Sequence, residues 1–338
     1  MLRALLISTL AVSFIALTAY LSIQEKPNTP AASPLAPSSL TAYLAHLKAH
    51  GKRIQSPSEL EYRLQVYGDN MAFAESVNNR QSSFTVGDNL FADLTFEEFK
   101  EKYLSREVIQ NEVRTGPAPR LRASKDWRTE KKVGPIKNQG RCGSCWAFST
   151  VAALETEIAI KNSQDVNLSE QELVDCSGEY GNQGCNGGLM SQAFSYIKDH
   201  QIGLGADYPY TAKDGACKRD ETKTRYSVVE SRVIDPICVD GLMTAIQSHA
   251  VSVAIEVQRD FQLYKGGIYK NDNCGAALNH GVAAVGFVNE DGEDQQYFIV
   301  RNSWGESWGE NGYVRMFIGT GSGTCGIAND TDVYPVLN

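Results

Sequence analysis

Residues 139–149 have the sequence QGRCGSCWAFS, which carries the clearest structural signal in the 338 residues of the chain. Cys145 opens the run CWAFSTVAALE, whose composition predicts a helix over residues 145–161. A thiol at a helix N-terminus lies near unpaired N–H groups and the positive end of the helix dipole, which stabilise a thiolate. Gly143 allows another backbone to approach closely. The stretch therefore predicts a reactive cysteine at the start of a helix.

The pair Cys142 and Cys145 also has other interpretations. A Cys-x-x-Cys pair occurs in thioredoxin-like redox proteins, but these need a preceding βαβ pattern and a reducing compartment, and neither is apparent. A zinc site is disfavoured because no second Cys-x-x-Cys pair and no nearby histidine follow. A structural Cys145, held in a disulfide, stays open at this point.

A catalytic thiolate needs a base, and the chain has five histidines, at positions 46, 50, 200, 249 and 280. His280 differs from the others because it directly precedes an apolar strand pattern at residues 281–289, which predicts a position at a strand edge. The alternative is a hydrogen-bonded core histidine. Asn302 ends another predicted strand, where its amide oxygen can fix the imidazole tautomer. Trp304 follows it and can shield that bond from water.

Composition and charge narrow the class of protein. Hydrophobic residues make up 42% and charged residues 21% of the chain, as in soluble globular proteins. Residues 121–338 hold 20 basic and 28 acidic side chains, which accounts for the whole net charge of −8, and no basic stripe suggests nucleic acid as a partner. All eight cysteines lie after residue 140, which indicates several disulfides and export through an oxidising compartment.

The N-terminal part of the chain divides into three segments. Residues 1–23 have a basic residue and an apolar run, which predicts either a cleaved signal peptide or an uncleaved signal anchor. Residues 24–39 have the Pro/Ala/Ser/Thr-rich composition of a linker. From Leu40 onward the apolar spacing is helical, and a second helix begins at Ser56-Pro57, an N-cap followed by proline at the first helical position. Helices early in the chain and strands after Ala250 predict an α+β protein with two lobes.

These segments resemble the active-site blocks of the papain/cathepsin L family of cysteine peptidases. Cys145, His280 and Asn302 match that family's triad in identity and order, and Gln139 matches its oxyanion-hole side chain. The resemblance implies a helical left lobe, an antiparallel β-barrel-like right lobe and an endopeptidase that needs no cofactor or metal. It also implies a Cys145 thiolate paired with a His280 imidazolium, and an acyl-enzyme intermediate. A catalytically dead homologue is disfavoured because all four residues are present. The family's paired-histidine exopeptidase insertion is not evident, since no two histidines are adjacent.

The resemblance also implies a set of substrate-binding residues. Gly188 would pair its backbone with an extended peptide, and the residues 260–269 would form a hairpin of the right lobe. Other positions expected at the substrate are Leu189, Met190, Ala254, Leu278, Asn279 and Trp304. The first four of these would form an apolar S2 pocket, with Asp330 at its floor admitting Arg as well. The alternative is an Asp330 that turns outward beside a glycosylated Asn329.

The segment 40–120 resembles the family's inhibitory propeptide. Residues 59–78 follow its ERFNIN helical motif with Tyr67 in place of Phe and Ala74 in place of Ile, and residues 87–93 follow its second motif, Gly-x-Asn-x-Phe-x-Asp. The resemblance implies that this segment occupies the cleft in reverse, that cleavage falls near Leu121, and that residues 121–338 form the peptidase domain. Acid would weaken the propeptide's grip by protonating its carboxylates.

The remaining implications concern crosslinks and surroundings. The family pattern gives disulfides Cys142–Cys185, Cys176–Cys217 and Cys274–Cys325, which leaves Cys238 free, either as a buried small hydrophobe or as a regulatory thiol. Sequons at Asn167 and Asn329 are candidate glycan sites. We expect a monomer in the secretory pathway, either lysosomal, vacuolar or extracellular. Its partners would be peptide substrates, its own propeptide and cystatin-like inhibitors.

Overall fold

The computed structural model describes residues 37–106, 109–289, 295–329 and 331–338. The predicted signal peptide or anchor, most of the linker and Asp330 therefore lie outside the described residues. The first described helix begins at Pro37, three residues before the predicted start of the propeptide, so the end of the expected linker is helical. Among the helices in these ranges, none is long and apolar enough to span a bilayer.

The described residues of the propeptide form three helices and two short strands: α1 (Pro37–Ala49), α2 (Pro57–Arg80), β1 (Phe84–Val86), α3 (Phe96–Tyr103) and β2 (Ile109–Gln110). Ser56 caps α2 by accepting a hydrogen bond from the Glu59 N–H, as the sequence predicts. Thr95 and Glu98 form a capping box that begins α3. One apolar face of α2 is buried, including Leu60, Leu64 and Ala74.

The left lobe is built around a helix that is buried on nearly all sides. Its elements are α4 (Cys145–Asn162), α5 (Glu170–Cys176), α6 (Met190–His200), β4 (Ile202–Gly203) and β5 (Arg225–Tyr226). Every residue of α4 from Cys145 to Ala159 is buried, because α5, α6 and the long strand of the right lobe surround it. The helix ends at Asn162, one residue later than the sequence predicts.

The right lobe contains most of the strands. They are β3 (Lys125–Asp126), β6 (Glu230–Val233), β7 (Val251–Ile255), β8 (Tyr264–Tyr269), β9 (Ala277–Leu278), β10 (His280–Val288), β11 (Tyr297–Arg301), β12 (Tyr313–Phe317) and β13 (Val333–Val336), with helices α7 (Val239–Ile246) and α8 (Arg259–Gln262). The main sheet has the order β1-β8-β12-β11-β10-β7-β13-β6, with β3 also on β10. The predicted α+β class with a mainly antiparallel right lobe is confirmed. Among the described strands, β8 and β12 are the one parallel pair of this sheet, and the strand path does not close into a barrel.

The expected hairpin at residues 260–269 is wrong. Its first residues belong to α8, and β8 pairs with β12 on one side and with the propeptide strand β1 on the other. Phe84 and Thr85 of β1 pair with Gly267 and Gly266, more than 180 residues further along the chain. Because backbone pairing over that distance leaves no periodicity in the sequence, the local pattern could not reveal it.

Two apolar clusters form the core. One surrounds α4 and includes the right-lobe side chains that pack on this helix, and the other joins the right lobe to the propeptide in a single set of packed side chains. Three disulfides link Cys142 with Cys185, Cys176 with Cys217 and Cys274 with Cys325, the pairs that the resemblance implies. The first of them ties the start of α4 to a second loop, which fixes the geometry on both sides of Cys145.

Candidate active site

Cys145 is the first residue of α4 and is buried at the junction of the two lobes. Its thiol is unpaired with any other cysteine, which removes the disulfide alternative. Gly281 of β10 packs so closely on this turn that a Cβ there would lie 3.1 Å from the Trp146 Cα. Burial raises the pKa of Cys145 to about 11, although backbone N–H groups, including those of Gly281, Trp146 and Ser105, favour the thiolate.

His280 begins β10 and lines the same pocket as Cys145. Its Nε2 lies 2.8 Å from Asn302 Oδ1, which also accepts the Ser303 N–H. An amide oxygen can only accept, so Nε2 carries the proton and Nδ1 presents a lone pair. The Trp304 ring stacks on the imidazole with centroids 4.5 Å apart. The structure thus brings together the three residues expected to form the triad.

The protonation of this pair depends on its burial. Burial lowers the pKa of His280 to about 4, and the hydrogen bond to Asn302 only partly offsets this effect. Together with the raised pKa of Cys145, the shift favours a neutral thiol and a neutral imidazole in the precursor. The thiolate–imidazolium pair that the resemblance implies is therefore opposed while the propeptide covers the site.

Gln139 points its side-chain amide toward the propeptide. Nε2 donates to the Tyr103 carbonyl at 2.9 Å and to the Cys142 carbonyl at 2.8 Å. Ser303 orients this amide, because its hydroxyl donates to Gln139 Oε1 at 2.6 Å. Gly143 permits the close approach, since a Cβ there would lie 2.8 Å from the Leu104 carbonyl oxygen. A propeptide carbonyl thus lies where an oxyanion would receive the Gln139 donor.

The propeptide continues through the cleft after Tyr103. The Ser105 N–H donates to the Asn279 carbonyl at 2.9 Å, and the Arg106 N–H donates to the Asn186 carbonyl at 2.8 Å. Strand β2 then pairs with β9, with Ile109 opposite Leu278. Residues 103–106 therefore contact the left-lobe loop that holds Gln139, and residues 109–110 contact the right-lobe loop that precedes His280.

A propeptide side chain, Ile109, lines the apolar pocket beside Cys145 and packs on the cluster that includes Ala254 and Leu278. The residues that line this pocket include Ile109, Gly188, Leu189, Ala254, Leu278 and Asn279. Met190 is buried in the left-lobe core but is not among the residues lining this pocket. Asp330, the expected floor, lies outside the described residues. Its neighbour Asn329 is fully buried and its amide donates to the Ala254 and Gly326 carbonyls, which leaves no space for a glycan on that nitrogen.

The free cysteine, two further histidines and the candidate glycan site Asn167 are not among the residues that line the pocket beside Cys145. Cys238 is free, as expected, but it is partly exposed at the N-terminus of α7, so the interpretation as a buried small hydrophobe is wrong. His249 contacts Glu157 at 2.9 Å, and His200 ends α6. Asn167 is exposed.

Sequence reasoning missed several residues that shape the site. Tyr103 and Ser105 contribute only backbone groups, which no side-chain motif reveals. Val108 and Ile109 are an apolar pair within the otherwise polar residues 105–112, and this was an available signal. Glu256 was also missed. One of its carboxylate oxygens accepts three consecutive N–H groups, from Gly275, Ala276 and Ala277, and so holds the loop that precedes Leu278 and His280.

Comparisons with protein families agree with this arrangement. The model of the papain family of cysteine proteases matches residues 121–336, and that of the cathepsin propeptide inhibitor domain (I29) matches residues 43–99. Cysteine proteinase RD21A of Arabidopsis thaliana is 42% identical over 315 residues, which are 88% of this chain and 67% of that protein. Pro-cathepsin H of Medicago truncatula is 41% identical over 300 residues, 85% of this chain and 83% of that protein.

Solved structures of proforms are similar over most of the chain. The proform of the ragweed pollen cysteine protease Amb a 11 has a TM-score of 0.79 at 31% identity, covering 90% of this chain and 96% of that one. Procathepsin L 3 from the larval midgut of Tenebrio molitor has a TM-score of 0.77 at 34% identity, covering 88% and 99%. The similarity thus includes the segment that precedes residue 121.

Proposed function

The chain belongs to the papain family of cysteine proteases as a zymogen with its propeptide, and we propose that it yields an endopeptidase with Cys145 as nucleophile and His280 as base. One observation supports this assignment most strongly. The Tyr103 carbonyl accepts from Gln139 at 2.9 Å, as a substrate carbonyl would, and two residues later the Ser105 backbone N–H faces the buried Cys145 thiol. The 2.8 Å contact between His280 and Asn302 supplies the oriented base.

The acylation step follows from the tautomer of His280. Nδ1 takes the proton of the Cys145 thiol, and the resulting sulfur attacks the carbonyl carbon of the scissile bond. The oxygen that becomes negative receives the Gln139 Nε2 donor and the Cys145 backbone N–H. The imidazolium then protonates the departing amine, the C–N bond breaks, and a thioester remains on Cys145.

Deacylation uses the same groups, but His280 now acts on water as a general base. Neutral His280 removes a proton from water, and the hydroxide attacks the thioester carbonyl. The new oxyanion meets the same two donors, and its collapse releases the carboxylic acid and the thiolate, which recovers the proton. Asn302 keeps Nε2 protonated throughout, and Trp304 covers the bond between them.

The propeptide inhibits because it enters the cleft with reversed polarity. In a substrate, the residue that fills the apolar pocket would precede the residue whose carbonyl faces Gln139. In the precursor, Ile109 fills the pocket and follows Tyr103 by six positions. A peptide bond near Cys145 is therefore presented in the wrong orientation for attack, and the segment blocks the site without being cleaved.

Maturation would remove the propeptide by cleavage near Leu121. That side chain is 60% exposed. It belongs to the segment between Gln110 and Lys125, which forms no helix or strand. Solvent-exposed extended chain is the preferred substrate of proteases. Acid would promote this step by protonating propeptide carboxylates that are paired in the precursor.

The pocket occupied by Ile109 is our candidate for S2. Leu189, Ala254 and Leu278 give it apolar walls, which supports acceptance of Leu, Phe or Val. Asp330 at the floor would add acceptance of Arg. The buried amide of Asn329 argues against the alternative in which Asp330 turns outward beside a glycan. Gly188 lies beside this pocket and would pair its backbone with the substrate.

The proposed location and partners of the protein rest on its disulfides, on the exposed Asn167 and on the cleft. Three disulfides support folding in the secretory pathway, toward a lysosome, a vacuole or the exterior. The exposed Asn167 would carry a glycan. We expect a monomer that cystatin-like proteins inhibit at the cleft once the propeptide has left.

Peptide hydrolysis after acid maturation tests the proposed function. The wild-type chain should cleave internal bonds of unstructured polypeptides, whereas Cys145→Ala, matured in trans by another protease, should show no cleavage above background. Cys238→Ala is the matched control, because it removes the other free thiol and should retain full activity. Activity that survives Cys145→Ala, or that is lost in Cys238→Ala, would overturn the assignment.

A further inference from the structure

Two histidines and a carboxylate converge in the propeptide, far along the chain from the protease residues. His46 lies in α1, and His50 follows one helical turn later, with its N–H bonded to the His46 carbonyl at 3.0 Å. Residues four positions apart share one helix face. Asp88 comes from the turn after β1, and single ligand atoms of the three residues all lie within 4.8 Å of one another.

We propose that His46, His50 and Asp88 bind a transition-metal ion of the Zn²⁺ type, which links α1 to the turn at residues 87–93. Two imidazoles and one carboxylate form a donor set that Zn²⁺ accepts, and water completes four-coordination. The site departs from the expectation that the protein holds no metal. It lies in the propeptide, so the mature protease domain would lack it.

The surroundings already orient the ligands. His46 is fully buried, with Nδ1 2.6 Å from Asp88 Oδ1 and Nε2 3.6 Å from Asp93 Oδ2. Nδ1 would bind the metal in place of that hydrogen bond, while Nε2–H faces a second carboxylate, as in many histidine metal sites. Lys52 pairs with Asp93, which leaves Asp88 as the carboxylate that faces both imidazoles.

Tyr67 supports the same interpretation. Its hydroxyl donates to Asp88 Oδ2 at 3.3 Å, and its ring lies 5.2 Å from that of His46. Tyr67 stands where the ERFNIN motif has Phe, so its hydroxyl is a feature of this chain beyond the motif. Hydrogen bonds to a ligating carboxylate fix its direction and raise metal affinity.

The site is open to the solvent on one side. The Asp88 side chain is 38% exposed and His50 is partly exposed, so an ion can enter without unfolding of the propeptide. An ion that binds the folded precursor and not the unfolded chain stabilises the fold. If the proposed zymogen function holds, this link would also slow maturation, but metal binding itself does not depend on that function.

Metal titration of the full-length Cys145→Ala precursor tests the proposal, because this variant cannot process itself. The metal-free protein is titrated with Zn²⁺ by calorimetry and with Co²⁺ by visible absorption, and its Tm is measured with and without Zn²⁺. We expect one equivalent bound, a tetrahedral Co²⁺ spectrum and a rise in Tm. His50→Ala should lower the affinity at least about tenfold and reduce the Tm rise at the same Zn²⁺ concentration, since a ligand is lost.

Two further variants separate ligation from folding. Tyr67→Phe restores the motif residue, so it should fold normally and bind Zn²⁺ about tenfold more weakly. His200→Ala removes a histidine outside the cluster and should bind as the parent does. The proposal is overturned if His50→Ala binds with unchanged affinity, if Zn²⁺ leaves the Tm unchanged, or if binding is lost in His280→Ala instead.

Discussion

The two parts of the propeptide contact the protease domain in different ways. The folded part, residues 37–103, buries the rings of Phe91 and Phe99 against Trp304, with centroids 5.5 and 5.1 Å apart. The extended part, residues 105–106 and 109–124, is held largely through its backbone. Examples are the Asn111 N–H bonded to the Ala276 carbonyl and the Ser322 N–H bonded to the Arg114 carbonyl.

This difference separates two roles of the propeptide. The folded part provides the binding free energy (grip), and the extended part blocks the cleft (occlusion). Buried aromatic packing contributes most of the binding free energy and depends on side-chain identity. Backbone hydrogen bonds accept almost any sequence, and they contribute less because water competes for them. Val113 and Leu121 in the extended part are 53% and 60% exposed, in keeping with a segment that can be cut while the folded part still holds.

The largest expected effect comes from removing an anchor of the folded part. Phe91→Ala deletes a ring packed between Trp304, Phe99 and Tyr103, and should destabilise the precursor by about 3–5 kcal/mol. Urea unfolding in the Cys145→Ala background measures this cost. Val113→Ala in the extended part is the control and should stay within about 0.5 kcal/mol. Equal costs for the two substitutions would remove the distinction between grip and occlusion.

The next effect concerns the pocket that the extended part shares with substrates. An ionised Asp330 would pair with a substrate Arg, so the preference for Arg over Leu should rise with pH from about pH 4 upward. Asp330→Ala should cost about 1.5–3 kcal/mol of transition-state stabilisation for Arg substrates and spare Leu substrates. kcat/KM for matched Arg and Leu peptides across pH measures this. A preference that is flat with pH and unchanged in the variant contradicts the role of Asp330.

A smaller effect is expected from the side chain that the extended part places in that pocket. Ile109 is only half-buried, so Ile109→Ala should destabilise the precursor by about 1 kcal/mol, well below Phe91→Ala. Unfolding of the same background provides the value. A cost as large as that of Phe91→Ala would show that the extended part binds the protease domain mainly through its side chains.

The smallest expected effect comes from weakening the acid-sensitive ion pair between Arg63 and Glu98 in the folded part. Burial opposes ionisation of Glu98, but the Arg63 guanidinium 2.6 Å away outweighs it and holds the pKa of Glu98 below its usual value. The stabilisation from a depressed pKa is complete above the ordinary pKa of about 4.3 and is lost as pH falls through the folded value.

Glu98→Gln keeps the capping box while it removes the charge. It should therefore cost about 0.5 kcal/mol at pH 6, and the difference from the parent should shrink toward pH 3. Unfolding free energies of both proteins over this range provide the measurement. A cost that does not change with pH would assign the role of Glu98 to packing.

Local signals in the sequence predicted the elements that depend on local chemistry. Ser56-Pro57 begins α2, Cys145 begins α4, and the triad residues lie together because each belongs to a block with its own motif. The contacts that make the precursor inactive were not predictable in this way. Strand β1 joins the right-lobe sheet, and the Tyr103 carbonyl meets Gln139, through backbone groups that every residue possesses.

The burial of the catalytic pair could not be predicted either. The motif implies a charged thiolate and imidazolium, whereas desolvation under the propeptide favours the neutral forms of Cys145 and His280. Charge state depends on what covers a group, and the covering segment here binds from 35 or more residues away in the chain. The reactivity of Cys145 thus reports directly whether the extended part lies in the cleft.

Labelling of Cys145 tests the central claim most directly. The full-length chain is exposed at neutral pH to an irreversible epoxide-type cysteine-protease inhibitor, before and after acid maturation, and the labelled residue is identified by peptide mass spectrometry. We predict no label on Cys145 in the precursor and one label there in the matured protein. Rapid labelling of Cys145 in the intact precursor, or of Cys238 in place of Cys145 after maturation, would contradict the account.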